Sequence, residues 1–213
     1  MLANLFKILF MMPNSVMAFF KAITAILSGL FLADFITGVF HWFEDRYGNP
    51  NWKLFGNTIR ANQEHHRRPR AFLEGTFLHR NAQVFLIGMV FLAGFWALGW
   101  LNLFTASAVV FGSFANEIHR FTHRSPKENG RIITAIQKTG LLQSFQHHAQ
   151  HHRKGKDTHF CVMTNYLNPI LERVQFFQRI EAVVHKVGKI RPRFDDSVNA
   201  KYQPHFHMDK LAA

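Results

Sequence analysis

From Ala82 to Asn116 the chain carries no Asp, Glu, Lys or Arg. So long an uncharged stretch cannot cover a domain that faces water, and its length suits two passes through a hydrocarbon layer about 30 Å thick. It reads as two spans, roughly 82–101 and 103–118, with Trp96 and Trp100 near the intervening turn, where aromatic rings favour the headgroup level. A further span runs over 16–40, interrupted only by Lys21 and Asp34. Residues 2–12, stopped by Pro13, are too short to cross and read as an interfacial or re-entrant helix. The expected fold is therefore all-α. It is a multi-pass transmembrane protein of about three spans plus that N-terminal helix, with a cytosolic, helical, histidine-rich metal-binding cap.

The charge is distributed in blocks. Of the 25 Lys and Arg residues, two precede Trp42, seven lie between Trp42 and Asn81, none falls between Ala82 and His119, and sixteen follow. The positive-inside rule places 42–81 and 119–213 on the cytosolic side, joined by the uncharged hairpin. Anionic headgroups suffice as partners for a net charge of +12, and no nucleic-acid reading motif is present. A single Cys161 excludes an intramolecular disulfide and a cysteine-rich zinc site. With no small-x-small site ahead of the first span, no removable signal peptide is expected. The length of 213 residues is that of one domain, 1–213.

Nine of the 14 histidines fall in four clusters: His41, His65-His66, His119 with His123, and His147-His148-x-x-His151-His152. Each lies beside or just after an apolar segment, so all four can converge at one membrane face. Imidazole suits iron, zinc, copper and nickel, and histidines three or four apart share a helix face. Zinc normally takes four ligands, so nine imidazoles indicate two metal ions. Nitrogen-rich ligation without thiolates suits a non-haem di-iron centre. The Glu-x-x-His pattern of soluble di-iron carboxylate proteins is absent, since Glu117 stands two residues before His119 and Glu64 adjoins His65. Three carboxylates are candidates to orient ligands: Asp34, inside the first span; Asp45, four residues after His41; and Glu117. Asp34 could equally bond a polar group on a neighbouring helix, and the other two could be surface acids. A helix over roughly 130–152 is expected to carry the quartet. His79, His159, His185, His205 and His207 stand alone and read as structural.

The segments ADFITGVFHWFEDRYG (33–48), EHHRRP (64–69), NEIHRFTH (116–123), HHAQHH (147–152), HFCVMTNYLNPILE (159–172) and RPRFDD (191–196) together resemble the histidine-rich, Kua-type lipid desaturase family. That family includes the plasmanylethanolamine desaturases and the plant trans-3 acyl-lipid desaturases of plastids. The likeness runs from about Ala33 to Asp196. It departs from the animal members in a shorter N-terminal membrane region, a compressed linker after EHHRRP, and Lys156 where they carry a further histidine.

This resemblance implies an integral membrane enzyme that takes electrons from a cytochrome b5-type or ferredoxin-type donor and uses dioxygen to desaturate a phospholipid or ether-lipid chain. The two irons would be held by His41, His65, His66, His119, His123, His147, His148, His151 and His152. For a plasmanylethanolamine substrate the bond is C1–C2 of the sn-1 alkyl ether, giving the vinyl ether of a plasmalogen. The alternatives are an acyl-lipid or fatty acid desaturase, or a hydroxylase, with the same iron pair, and outside that class a zinc-dependent membrane hydrolase. The expected site is a bacterial inner membrane, or the endoplasmic reticulum in a eukaryotic cell, with the metals at the cytosolic face.

Overall fold

A computed structural model describes residues 13–153 and 157–193. The expectations for residues 2–12, Lys156, His205 and His207 lie outside it. Among the described residues there are helices and turns and no strand.

Helix α1 (Asn14–Arg46) begins directly after Pro13, whose fixed φ and missing N–H suit a helix entry. Its 33 residues extend for about 50 Å, which exceeds a bilayer core and leaves its last turns to carry polar chemistry. Helix α2 (Gly56–Arg67) follows, then a 3₁₀ turn (Pro69–Leu73) and helix α3 (Phe77–Ala97). Helix α4 (Leu103–Ser113) starts from a capping box between Asn102 and Thr105, which satisfies donors that a helix end otherwise leaves open. By length and composition α1 and α3 could cross a membrane, and α4 is a shorter apolar helix packed against both. Their large apolar side chains point outward: Phe19, Phe20, Ile36 and Phe40 on α1, and Leu86, Met89, Val90 and Phe91 on α3. An apolar face turned away from the core is what a lipid solvent favours.

The remaining helices are short: α5 (Ala115–Thr122), α6 (Pro126–Thr139), α7 (Phe145–His151), α8 (Leu167–Arg173) and α9 (Phe176–Gly188). Two boundaries differ from the sequence reading. The expected third span breaks at Phe114, where α4 gives way to α5. The basic stretch after α1 is helical from Gly56, well ahead of the histidine pair. The helix expected over 130–152 is kinked at Gly130 and ends at Gly140, whose φ of 81° forms a left-handed cap, a conformation glycine adopts without a Cβ penalty. Ser144 then restarts the chain, its side chain accepting from the His147 N–H. The quartet therefore sits on a separate helix of 7 residues.

Two apolar clusters anchor the polar end of α1. Leu30 and Ala33 pack with Ala115, Ile118, Val162 and Met163, and Trp42 packs with Phe160 and Phe177. The histidines meet beside the second cluster, where His41 and His151 pack edge-on against Phe160.

Candidate metal centre

Four elements supply the site: the last turns of α1, the C-terminal turn of α2, α5 and α7. His65, His119, His123, His148 and His152 form one group, and His41, Asp45, His66 and His151 a second. Within each group one ligand atom per residue lies within 4.8 Å of every other. The groups adjoin, with ring centroids of His66 and His152 4.9 Å apart and those of His148 and His151 5.7 Å apart. Eight of the nine expected histidines thus come together. The ninth, His147, lies apart: its ring packs at 5.2 Å from His159 and its Nε2 faces Asn168 Nδ2 at 3.3 Å.

In the five-histidine group the Nε2 atoms of His119, His123, His148 and His152 face one another. His123 lies 3.2 Å from His119, His119 lies 2.9 Å from His148, and His148 lies 3.0 Å from His152. A ring nitrogen carries either one proton or one lone pair. Four nitrogens in a row can therefore form two hydrogen bonds, and these three short contacts cannot all be hydrogen bonds. A cation at bonds of about 2.0–2.1 Å would instead separate cis ligands by about 3 Å. The spacing fits a metal ion and does not fit a network of neutral imidazoles.

The second group makes the same case through its tautomers. His41 Nδ1 donates to the Phe160 carbonyl at 3.1 Å and His151 Nδ1 to the Thr158 carbonyl at 2.7 Å. That leaves each Nε2 as a bare lone pair, and both face Asp45 Oδ2, at 3.5 and 3.3 Å. Lone pairs aimed at a buried carboxylate repel it unless a cation lies between. The backbone carbonyl behind each imidazole is the usual support of a metal-bound histidine. Asp45 also accepts from Asn62 Nδ2 at 2.7 Å and faces His66 Nε2 at 3.0 Å. It stands among the potential ligands rather than behind them, so the carboxylate expected to orient a histidine has the position of a ligand itself.

The other two carboxylates touch neither group. Glu117 accepts from Arg80 at 3.0 Å, Asn81 at 2.9 Å and Arg120 at 2.8 Å, tying α3 to α5. Asp34 accepts from the backbone of Met163 and Thr164 at 2.8 and 3.0 Å and from the Thr164 hydroxyl at 2.7 Å. Glu117 is therefore a buried acid between two helices and not a surface one, and Asp34 bonds the irregular segment at Met163–Thr164 and not a neighbouring helix.

Burial, and after it the adjoining imidazoles, hold His65, His148 and His152 well below the ordinary histidine value, and bring His123 down to about 3. These rings are neutral at pH 7, as metal ligation requires. Below about 6.5 the unfolded chain takes up protons that folded His123 resists down to about 3, so this contribution to stability falls as pH drops through that window. Bound metal should be lost over the same window. Equilibrium dialysis against a metal-free buffer from pH 7.5 to 4 should show progressive release, and pH-independent retention would contradict the assignment.

Comparison with known proteins places these residues in a family. The lipid desaturase domain matches residues 30–195, so the chain belongs to that family. It is 29% identical over 178 residues to a probable fatty acid desaturase of Acanthamoeba polyphaga mimivirus, covering 79% of this chain and 84% of that one. It is 28% identical over 188 residues to mouse plasmanylethanolamine desaturase 1, covering 82% and 69%. With chloroplastic fatty acid desaturase 4 of Arabidopsis thaliana the identity is 29% over 169 residues, covering 78% of this chain and 52% of the plant protein. No solved structure matches the chain.

Proposed function

We propose that this chain is a membrane-embedded, two-iron lipid desaturase, built as one unit over 1–213, that most closely serves as a plasmanylethanolamine desaturase. The observation that carries the reading is the pair of adjoining ligand groups at the polar end of two apolar helices long enough to cross a membrane. Five imidazoles in one group exceed the four ligands usual for zinc, which favours iron over the zinc hydrolase alternative.

His65, His119, His123, His148 and His152 would hold one ion, and His41, His66, His151 and Asp45 the other. When bound, the iron pair supplies the redox chemistry by which dioxygen, two electrons and two protons take two hydrogens from adjacent lipid carbons, leaving a double bond and two waters. The chain's own residues position and shield. The apolar faces of α1 and α3 keep the alkyl chain out of water, and Phe160, T-shaped to His151 at 5.4 Å, closes one side of the second group. The basic segments 42–81 and 119–213 hold the lipid phosphate and face the cytosol, where a cytochrome b5-type or ferredoxin-type donor supplies electrons.

The relatives from mouse and from Myxococcus xanthus named plasmanylethanolamine desaturase favour the C1–C2 bond of an sn-1 alkyl ether. The mimivirus and Arabidopsis relatives, named as fatty acid desaturases, favour the second reading, an acyl chain. Expression in plasmalogen-deficient cells fed an alkylglycerol should yield acid-labile vinyl ether lipids by mass spectrometry, with about two irons per purified chain. Unsaturation confined to acyl chains would select the second reading, and one zinc without iron in active protein would overturn both.

A further inference from the structure

Residues 158–165 form an irregular, largely buried segment between α7 and α8, in which Phe160, Cys161, Met163 and Thr164 are wholly inaccessible. Backbone buried in this way must find partners for its N–H and C=O groups or lose on the order of 1–3 kcal/mol for each. Here three buried side chains from three other parts of the chain supply them. Asp34, on α1, takes the Met163 and Thr164 N–H groups. Gln143 Nε2 donates to the Cys161 carbonyl at 2.7 Å and the Thr164 carbonyl at 3.2 Å, and the Gln143 N–H donates to the Met163 carbonyl at 2.7 Å. Asn168 grips Cys161 at both ends, accepting from its N–H at 3.0 Å and donating to its carbonyl at 2.7 Å. Gly38 lets the segment lie against α1, because a Cβ there would come within 2.6 Å of Cys161 Sγ.

Two carbonyls of this clamped segment point outward, those of Thr158 and Phe160, and they receive the Nδ1–H of His151 and His41. Two members of the five-histidine group are built differently, since Nδ1 of His148 and of His152 has no hydrogen-bond partner among the described residues. We propose that Asp34, Gln143 and Asn168 are positioning residues for one metal only. Through residues 158–165 they select the tautomer that bares Nε2 of His41 and His151, whereas Nδ1 of His148 and of His152 takes no bond from the segment. The inference rests on the two-metal reading above and adds that the two sites are supported unequally.

The test is titration of the detergent-solubilised, metal-free full chain with Co²⁺, counting equivalents by absorbance and calorimetry. Wild type should bind two. Asn168→Ala should weaken one of them by about 10- to 100-fold, the usual effect of losing support behind a ligand, and leave the other unchanged. Thr164→Val, close in shape but lacking the hydroxyl that donates to Asp34 and accepts from the Tyr166 N–H, should weaken the same equivalent less, and serves if Asn168→Ala does not fold. His41→Ala should remove the sensitive equivalent, so that adding Asn168→Ala to it has no further effect. Nitrogen-15 NMR of the metal-free wild type should find His41 and His151 protonated at Nδ1, with Asn168→Ala shifting both toward mixed tautomers. Equal weakening of both equivalents, or none with either variant, would overturn the role of the segment. A wild-type chain that binds a single equivalent would overturn the two-metal reading itself.

Discussion

Replacing His148 by alanine should reduce bound metal from about two ions per chain to about one and remove desaturation. His148 Nε2 lies within 3.0 Å of both His119 and His152 Nε2, and its ring centroid is 4.7 Å from that of His123, so its loss opens the middle of the five-histidine group. The fall in activity should exceed the 10- to 100-fold, as an order of magnitude, that follows removal of a group merely supporting a ligand. His147→Ala changes the adjacent residue and provides the contrast. That imidazole faces Asn168 and His159, and its removal should leave both metals in place. Metal analysis together with product lipids distinguishes the two variants. Full turnover by His148→Ala would sink the ligand assignment.

Glu181→Ala should be the most destabilising single change outside the metal groups. Glu181, 4% exposed, accepts from Trp42 Nε1 at 3.0 Å and from Arg46 Nε and Nη2 at 2.7 and 3.2 Å. Removing one partner of a buried ion pair strands the other charge and costs about 3–5 kcal/mol. Glu181→Gln, which keeps acceptor and shape, should cost less. Because Trp42 and Arg46 directly follow His41 and Asp45 in the last turns of α1, loss of the second metal should accompany the loss of stability. Denaturant titration of solubilised protein, with metal content measured alongside, checks both. A cost under about 1 kcal/mol, that of an exposed pair, would show that α1 is not pinned there.

Composition and spacing were enough to locate the apolar helices and the four histidine clusters. Without charges from Ala82 to Asn116 the chain has little alternative to a helical hairpin, and Trp100–Asn102 marks its turn as α3 and α4 do. How the ligands are shared was not legible. His65 and His66 are neighbours, yet they enter different groups, because successive residues on a helix are turned by about 100° and α2 runs between the two sites. The quartet divides likewise: His148 and His152, four apart, join the five-histidine group, while His151 joins His41. His147 lies one turn before His151 on the same helix and faces Asn168 and His159 instead. Asp45 gave only its spacing from His41, and its place among the ligands depends on α2 and α7 meeting over it. Least visible of all was residues 158–165, which has no period to read because side chains remote in sequence satisfy its backbone. Periodicity reports how a helix faces its surroundings. Which imidazoles share an ion, and which tautomer each presents, depends on contacts between residues as far apart as Asp34 and Thr164, and only tertiary packing makes those.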